Sequence, residues 1–278
     1  MKLVVLGSGT AVPHPRRSSS SHWVETQQGH TLLLDCAASA VHRMAAEGLD
    51  WAALDAIWIS HFHLDHVGGL APFLFGTRHA DGTRTRTKPL HIVGPRGTEK
   101  LLRAFERAGR YKLFDQPFPI EVREVSPRKR FTLLPGLTAE TFSTPHTRES
   151  LAVRLTETAE GVEEDGAGAS LVYTSDTGYT ESLARFARGA GLLLMECSFR
   201  DEKPIETHLV LSEAMRLARL AAPRRVLLSH LYPEWDGCDI SSEARRFWDG
   251  RTEGAEDGLR LEIESGTRAA SDRRGRDS

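Results

Sequence analysis

The chain has 278 residues, 40% of them hydrophobic and 27% charged, the balance of a globular protein with room for a sizeable core. With 36 Lys and Arg against 38 Asp and Glu the formal net charge is −2, so no global field draws it to nucleic acid or to an anionic membrane. No run approaches the roughly 20 apolar residues that span a bilayer. The three cysteines, Cys36, Cys197 and Cys238, form neither a CxxC motif nor an even-numbered framework, which points to reduced thiols and a cytoplasmic protein.

The opening MKLVVLGSGTAVP lacks the apolar stretch and cleavage site of a signal peptide and reads as a first strand, KLVVL, stopped by a glycine-rich turn. SHWVET and HTLLLDC follow as two strands joined through QQG in a hairpin. AASAVHRMAAEGLD has helical composition and ends at Gly48. The apolar strand DAIWIS is followed by GGLAPFLFG, suited to a helix, then by the strand LHIVGP and the helix GTEKLLRAFERAG. From Phe118 onward strands dominate: FPIEVREV, RFTLL, LTAETFST, SLAVRLTE and SLVYTSD. Helices and strands then alternate through TESLARFARGA, GLLLMEC, VLSEAMRLARLAA and RRVLLSH. This order predicts an α/β protein of four layers, two packed sheets covered outside by helices. One domain over 1–265 and a frayed polar tail over 266–278 are expected.

DAIWIS delivers the chain into the most informative stretch, Trp58 to Gly69, WISHFHLDHVGG. Three histidines, His61, His63 and His66, with Asp65 among them repel one another when protonated and resist burial without a cation. Three later apolar strands end on similar side chains: His146 in TFSTPHTRES, Asp176 in LVYTSDTG and His230 in RRVLLSHLYP. Alone, each is more simply a surface histidine or a turn aspartate. Four strand exits together make a coherent two-metal site, for which Zn²⁺, Mn²⁺ or Fe is suited.

HxHxDH after a strand, followed by His, Asp and His at later strand ends, resembles the metallo-β-lactamase fold superfamily. LGSGTAVPHPRRSSSS at the start, and MECSF followed by ETHLVLSEAMRLA, resemble its ribonuclease Z-like phosphodiesterase branch. The resemblance spans nearly the whole chain and implies an αββα sandwich with a dinuclear metal site at one edge of the sheets. It implies that His61, His63 and His146 hold one ion, that Asp65, His66 and His230 hold the other, and that Asp176 bridges them. Two divalent ions, Zn²⁺ foremost, would share a bridging hydroxide that cleaves a phosphodiester. Asp65 would also orient that nucleophile, His208 would protonate the leaving alkoxide, and Glu196 would hold His208 in place.

The chain departs from ribonuclease Z where those enzymes carry a long basic arm. Here TETAEGVEEDGAGAS is short, and Glu157, Glu160, Glu163, Glu164 and Asp165 make it an acidic, exposed loop that repels phosphate backbones. The expected substrate is therefore a small or cyclic nucleotide, or an RNA end, with no grip on long structured RNA. Arg148, two residues after His146, is a candidate for a substrate phosphate. Arg78, Arg84, Arg86 and Lys88 either border the cleft or form a solvated loop. Cys197 beside Glu196 reads as a buried thiol. A lactonase or thioesterase of the same fold is the alternative, and it would not need Glu196 and His208. A redox diiron protein would carry a carboxylate where His63 stands, and a non-catalytic module would not keep the full ligand set. No membrane partner is expected, and a homodimer is compatible with the sequence.

Overall fold

The apolar runs form two seven-stranded sheets in a computed structural model that describes residues 1–158 and 168–264. The first sheet takes β1 (Lys2–Gly7), β2 (Ser21–Glu25), β3 (Thr31–Leu34), β4 (Ala56–Trp58), β5 (Leu90–Pro95) and β6 (Ile120–Val125). The second takes β7 (Arg130–Leu134), β8 (Leu137–Ser143), β9 (Leu151–Glu157), β10 (Ser170–Tyr173), β11 (Leu192–Glu196), β12 (Val226–Ser229) and β13 (Thr252–Gly254). A last strand, β14 (Arg260–Glu262), returns to the first sheet beside β1. The orders are β14-β1-β2-β3-β4-β5-β6 and β13-β12-β11-β10-β9-β8-β7. The polar tail lies outside the described residues.

Three apolar layers hold the sheets and helices together. Between the sheets, Leu3, Leu32, Leu34 and Trp58 meet Leu155, Leu171, Leu194 and Leu227. Outside the first sheet lie α1 (Ala40–Ala46), the single turn α2 (Leu64–Val67), α3 (Leu70–His79) and α4 (Thr98–Gly109). Met44, Leu70, Phe73 and Leu102 from this side pack with Ile57 and Ile92. Outside the second sheet, α5 (Glu181–Phe186), α6 (Leu211–Ala221) and α7 (Ile240–Arg245) bring Leu183, Met215 and Leu217 onto Val172, Leu193 and Leu228. β10, β11 and β12 are covered on both faces, which is why they read as unbroken apolar runs. The expected αββα sandwich is the observed one. No described helix is long and apolar enough to cross a membrane.

Strand direction positions the site. β3 to β6 run parallel, as do β10 to β13, so in each sheet several chains leave at one edge, where ligands are bound in such sheets. The register sets neighbours there: Leu34 lies beside Trp58, and Glu196 lies beside Ser229.

One reading of the acidic loop is corrected. Glu157 is not part of an exposed segment but the last residue of β9 and 7% exposed. Its carboxylate accepts from the Met1 ammonium at 3.1 Å and from the Gln27 amide at 2.7 Å, so a buried partner offsets its charge. The other four acids of that segment lie outside the described residues.

Candidate metal centre

β4 hands the chain through Ile59 and Ser60 to His61, and the motif then closes into α2, whose one turn carries Asp65 and His66. That turn docks on the β3–α1 connection: Cys36 donates to the His66 carbonyl at 2.7 Å, and Gly69 donates to that of Cys36 at 2.8 Å. A Cβ at Gly69 would come within 2.2 Å of the Ala37 carbonyl oxygen, so this close approach requires glycine. Asp176 follows β10, Glu196 ends β11 and His230 follows β12. Asp35, Ser175 and His230, each just past a strand, take φ of 56°, 51° and 57°. This left-handed backbone costs about 1–3 kcal/mol at each non-glycine residue, and it turns the chain sharply where each strand ends.

Among the described residues, His61, His63, His146 and Asp176 form one group and Asp65, His66, Asp176 and His230 another, with ligand atoms within 4.8 Å of one another in each. Asp176, 2% exposed, belongs to both. Its Oδ2 lies 3.7 Å from His61 Nε2, 3.6 Å from His146 Nε2 and 3.4 Å from His230 Nε2. Its Oδ1 lies 3.3 Å from His66 Nε2. Yet His61 Nε2, His66 Nε2 and Asp176 Oδ1 are buried with no hydrogen-bond partner among the described residues. Orphaned buried polar atoms cost free energy, and here they face one another across a shared space. A cation satisfies such a set, and imidazoles with carboxylates suit Zn²⁺.

Burial and neighbouring charges oppose one another within the site. Burial and neighbouring His66 drive the His61 pKa well below its usual value. Burial opposes charge on His66 too, but Asp176 and Asp35 outweigh it and hold that pKa well above usual. Burial likewise opposes charge on Asp65, but His230 and His66 bring its pKa down to about 2.

Behind the two groups lie two matched supports that sequence reasoning did not single out. Asp35, fully buried, accepts from His66 Nδ1 at 2.7 Å, Ser60 Oγ at 2.7 Å, the Ser60 amide at 2.8 Å and Tyr173 OH at 2.7 Å. Because Ser60 donates to Asp35, it must accept from His61 Nδ1, 3.0 Å away. Ser198 does the same on the other side. It donates to Glu196 Oε2 at 2.7 Å and accepts from His230 Nδ1 at 3.0 Å. His146 Nδ1 donates to the Thr207 carbonyl at 3.1 Å. In all four histidines Nδ1 carries the proton and Nε2 faces the centre, the arrangement in which a second layer fixes the tautomer of a metal-binding imidazole. The signal available was positional: Asp35 ends an apolar strand just as Asp176 does.

Glu196 and His208 meet. His208 Nδ1 donates to Glu196 Oε1 at 2.9 Å, and Glu196 also accepts from the amides of Thr177, Ser198 and Leu209 at 2.8, 3.2 and 3.2 Å. Burial opposes charge on His208, but the bond to Glu196 and its negative charge raise the pKa. The His208 ring lies 4.8 Å from that of His146 and 5.2 Å from that of His230. Glu196, His208 and His230 also lie close enough to hold an ion. Unlike the other two groups, however, their atoms are already satisfied by one another and by Ser198. Cys197 is fully buried, and burial with Glu196 beside it pushes its thiol pKa well up, so it stays protonated.

Other candidates lie elsewhere. Arg78 pairs with Asp115, Arg84 with Asp81 and Lys88 with Asp55. Arg86 donates to the carbonyls of Ala52, Leu54, Lys88 and Pro89 and lies over the Phe118 ring at 4.3 Å. The basic stretch thus closes loops of its own layer. Arg148 is exposed and lines a cavity with Phe62 and Arg96.

Comparison with known proteins agrees with this fold. A ribonuclease Z of Mycobacterium sp. strain KMS is 30% identical over 252 residues, covering 84% of this chain and 85% of that one. The metallo-β-lactamase fold protein YhfI from Bacillus subtilis superposes with a TM-score of 0.76 at 23% identity, over 95% of this chain and 99% of that one. Zn²⁺-bound PqqB from Methylobacterium extorquens gives 0.72 at 18% identity, over 95% and 100%. The family model described as Anti-Pycsar protein Apyc1 matches residues 1–251. The chain therefore belongs to the Anti-Pycsar protein Apyc1 family, carries the metallo-β-lactamase fold and is related in sequence to ribonuclease Z.

Proposed function

We propose that this metal-dependent phosphodiesterase holds two ions, Zn²⁺ foremost, and hydrolyses a small phosphodiester such as a cyclic nucleotide. His61, His63 and His146 would hold one ion and Asp65, His66 and His230 the other, with Asp176 shared. When bound, the ions would supply Lewis acidity and a water acidic enough to attack at neutral pH. Asp65 would also orient the attacking water. Asp35, Ser60 and Ser198 keep the histidine Nε2 atoms turned inward. His208, with Nδ1 committed to Glu196, uses Nε2 to protonate the departing oxygen, and Arg148 contacts the substrate.

The observation that carries this reading is the buried Glu196–His208 pair beside the two groups. An alkoxide is a poor leaving group that needs a proton donor, whereas the thiolate expelled from a thioester leaves without one. The kinship with ribonuclease Z supports phosphodiester chemistry and keeps an RNA end as a second substrate class. The paired basic stretch 78–88 supports the smaller one, since it leaves little free positive charge for a long backbone. The buried thiols of Cys36 and Cys197 support a cytoplasmic location. The test is a screen of zinc-loaded protein against bis-p-nitrophenyl phosphate, cyclic nucleotides, a lactone and a thioester. Turnover of the lactone or thioester above the phosphodiesters would overturn the assignment.

A further inference from the structure

Three site-bearing segments meet at one glycine. Gly178, buried two residues after Asp176, donates its amide at 2.9 Å to the carbonyl of Pro145, the residue before His146. On its other side runs the segment that leads into His208. A Cβ at Gly178 would lie 2.9 Å from the Glu206 carbonyl oxygen, 3.1 Å from that of Pro145 and 3.4 Å from Thr207 Cα. All three are backbone atoms, so none swings aside as the end of a side chain would. Gly178 is not among the glycines with left-handed φ, so the position demands space and not an unusual dihedral.

The walls of this gap are tied to the site. The Thr207 carbonyl accepts from His146 Nδ1 at 3.1 Å, and the His208 amide donates to the Ile205 carbonyl at 3.2 Å. Glu196 spans the same crossing: Oε1 accepts from the Thr177 amide at 2.8 Å and from His208 Nδ1 at 2.9 Å, and Oε2 from the Leu209 amide at 3.2 Å. Thr144 Oγ1 closes the other side by donating to the Asp176 carbonyl at 3.0 Å. A methyl group at Gly178 would sit about half an ångström inside ordinary contact with the Glu206 carbonyl. Ile205 and Glu206 are exposed, so that wall yields toward solvent and carries His208 with it.

We propose that Gly178 is a positioning residue, whose missing side chain sets how closely the 205–208 segment approaches the turns of Asp176 and His146. It thereby fixes where His208 stands over the leaving oxygen. The proposal rests on the reading of His208 as proton donor.

The test is Gly178→Ala on zinc-loaded protein, alone and combined with His208→Ala. Misplacing a reacting group by about 1 Å costs about 10²-fold, so the smaller shift is expected to slow an alkyl phosphodiester about tenfold. A p-nitrophenyl ester, which needs no proton donor, should stay within about twofold of wild type, with zinc content unchanged. Once His208 is gone its placement no longer matters, so Gly178→Ala should cost nothing more in the His208→Ala background. Equal losses on the two esters, or a further tenfold loss in that background, overturn the proposal. If Gly178→Ala does not fold, Glu206→Gly loosens the same wall from the solvent side, with Glu206→Ala as the control for the lost carboxylate. The glycine variant must lower the alkyl-to-aryl rate ratio below that of the alanine variant, and equal ratios overturn the proposal. NMR of the His208 Nδ1 proton reads the geometry without turnover. Its signal is expected to move in Gly178→Ala and to stay in Gly76→Ala, a surface glycine of α3 with nothing within 4 Å of its added Cβ. A signal unmoved in both overturns the proposal. A signal that moves in a protein cleaving neither ester, or one whose His208→Ala variant keeps its alkyl turnover, leaves the positioning intact and removes the proton-donor reading.

Discussion

Asp35→Asn isolates the support behind the metal centre from the centre itself. Asn tolerates the left-handed backbone of this position, so the change acts on hydrogen bonds and not on the turn. Asp35 Oδ2 accepts three donors, from His66, Ser60 Oγ and Tyr173, and Oδ1 accepts the Ser60 amide. An asparagine keeps one acceptor oxygen and puts an NH₂ against the donors on the other side, so at least one buried donor loses its partner. That costs about 1–3 kcal/mol for each unpaired group. His66 also loses its anionic partner, and loss of such an outer-layer contact typically weakens metal binding about 10–100-fold. By linkage the stabilisation conferred by excess zinc shrinks by about 1.4–2.7 kcal/mol. Urea unfolding with chelator and with saturating zinc measures both effects, and competition titration gives the affinity directly. The variant should fold, unfold earlier under both conditions, and show a narrower gap between them. Zinc affinity equal to wild type would refute the role given to Asp35.

Asp176→Ala removes the carboxylate shared by both groups, so metal content should fall by about one ion and turnover by at least about 10²-fold. Asp65→Ala should be comparably damaging, and near-normal turnover and metal content in either variant would mean the ligand assignment is wrong. His208→Ala should slow an alkyl phosphodiester about 10²–10⁴-fold while sparing p-nitrophenyl esters, whose phenolate leaves unaided; equal losses would move His208 to binding or folding. Glu196 raises the His208 pKa, so the donating form persists below that value and is lost as pH rises through it. Glu196→Gln should therefore shift the descending limb of the alkyl-ester pH profile to lower pH, and an unmoved limb would detach Glu196 from His208. Binding of tRNA should be weaker than micromolar at physiological salt, and efficient removal of a 3′ trailer would restore an RNA substrate.

Much of the architecture was legible because burial on two faces leaves a simple trace. LVY, LLLM and VLL are apolar throughout, and each leads within three residues to a polar residue of the site, Asp176, Glu196 and His230. The three-residue strands β13 and β14 left no period to read, since their place depends on pairing with β12 and β1. Ser60 and Ser198 were illegible for a different reason. Serine is common at strand ends, and only the register that sets Leu34 beside Trp58 and Glu196 beside Ser229 brings each to a carboxylate and a histidine. Glu157 was misread because its partner, the Met1 ammonium, is 156 residues away in sequence. The basic stretch 78–88 was ambiguous because the carbonyls that hold Arg86 have no signature in residue type.

The most direct test of the central claim is the metal content of the reconstituted protein, read by elemental analysis on the same samples whose phosphodiester turnover is measured. The buried, unpartnered atoms of His61, His66 and Asp176 predict two ions per chain, with turnover rising as the second is filled and vanishing under chelator. Fewer than about one ion per chain, or turnover that survives complete chelation, would contradict the account.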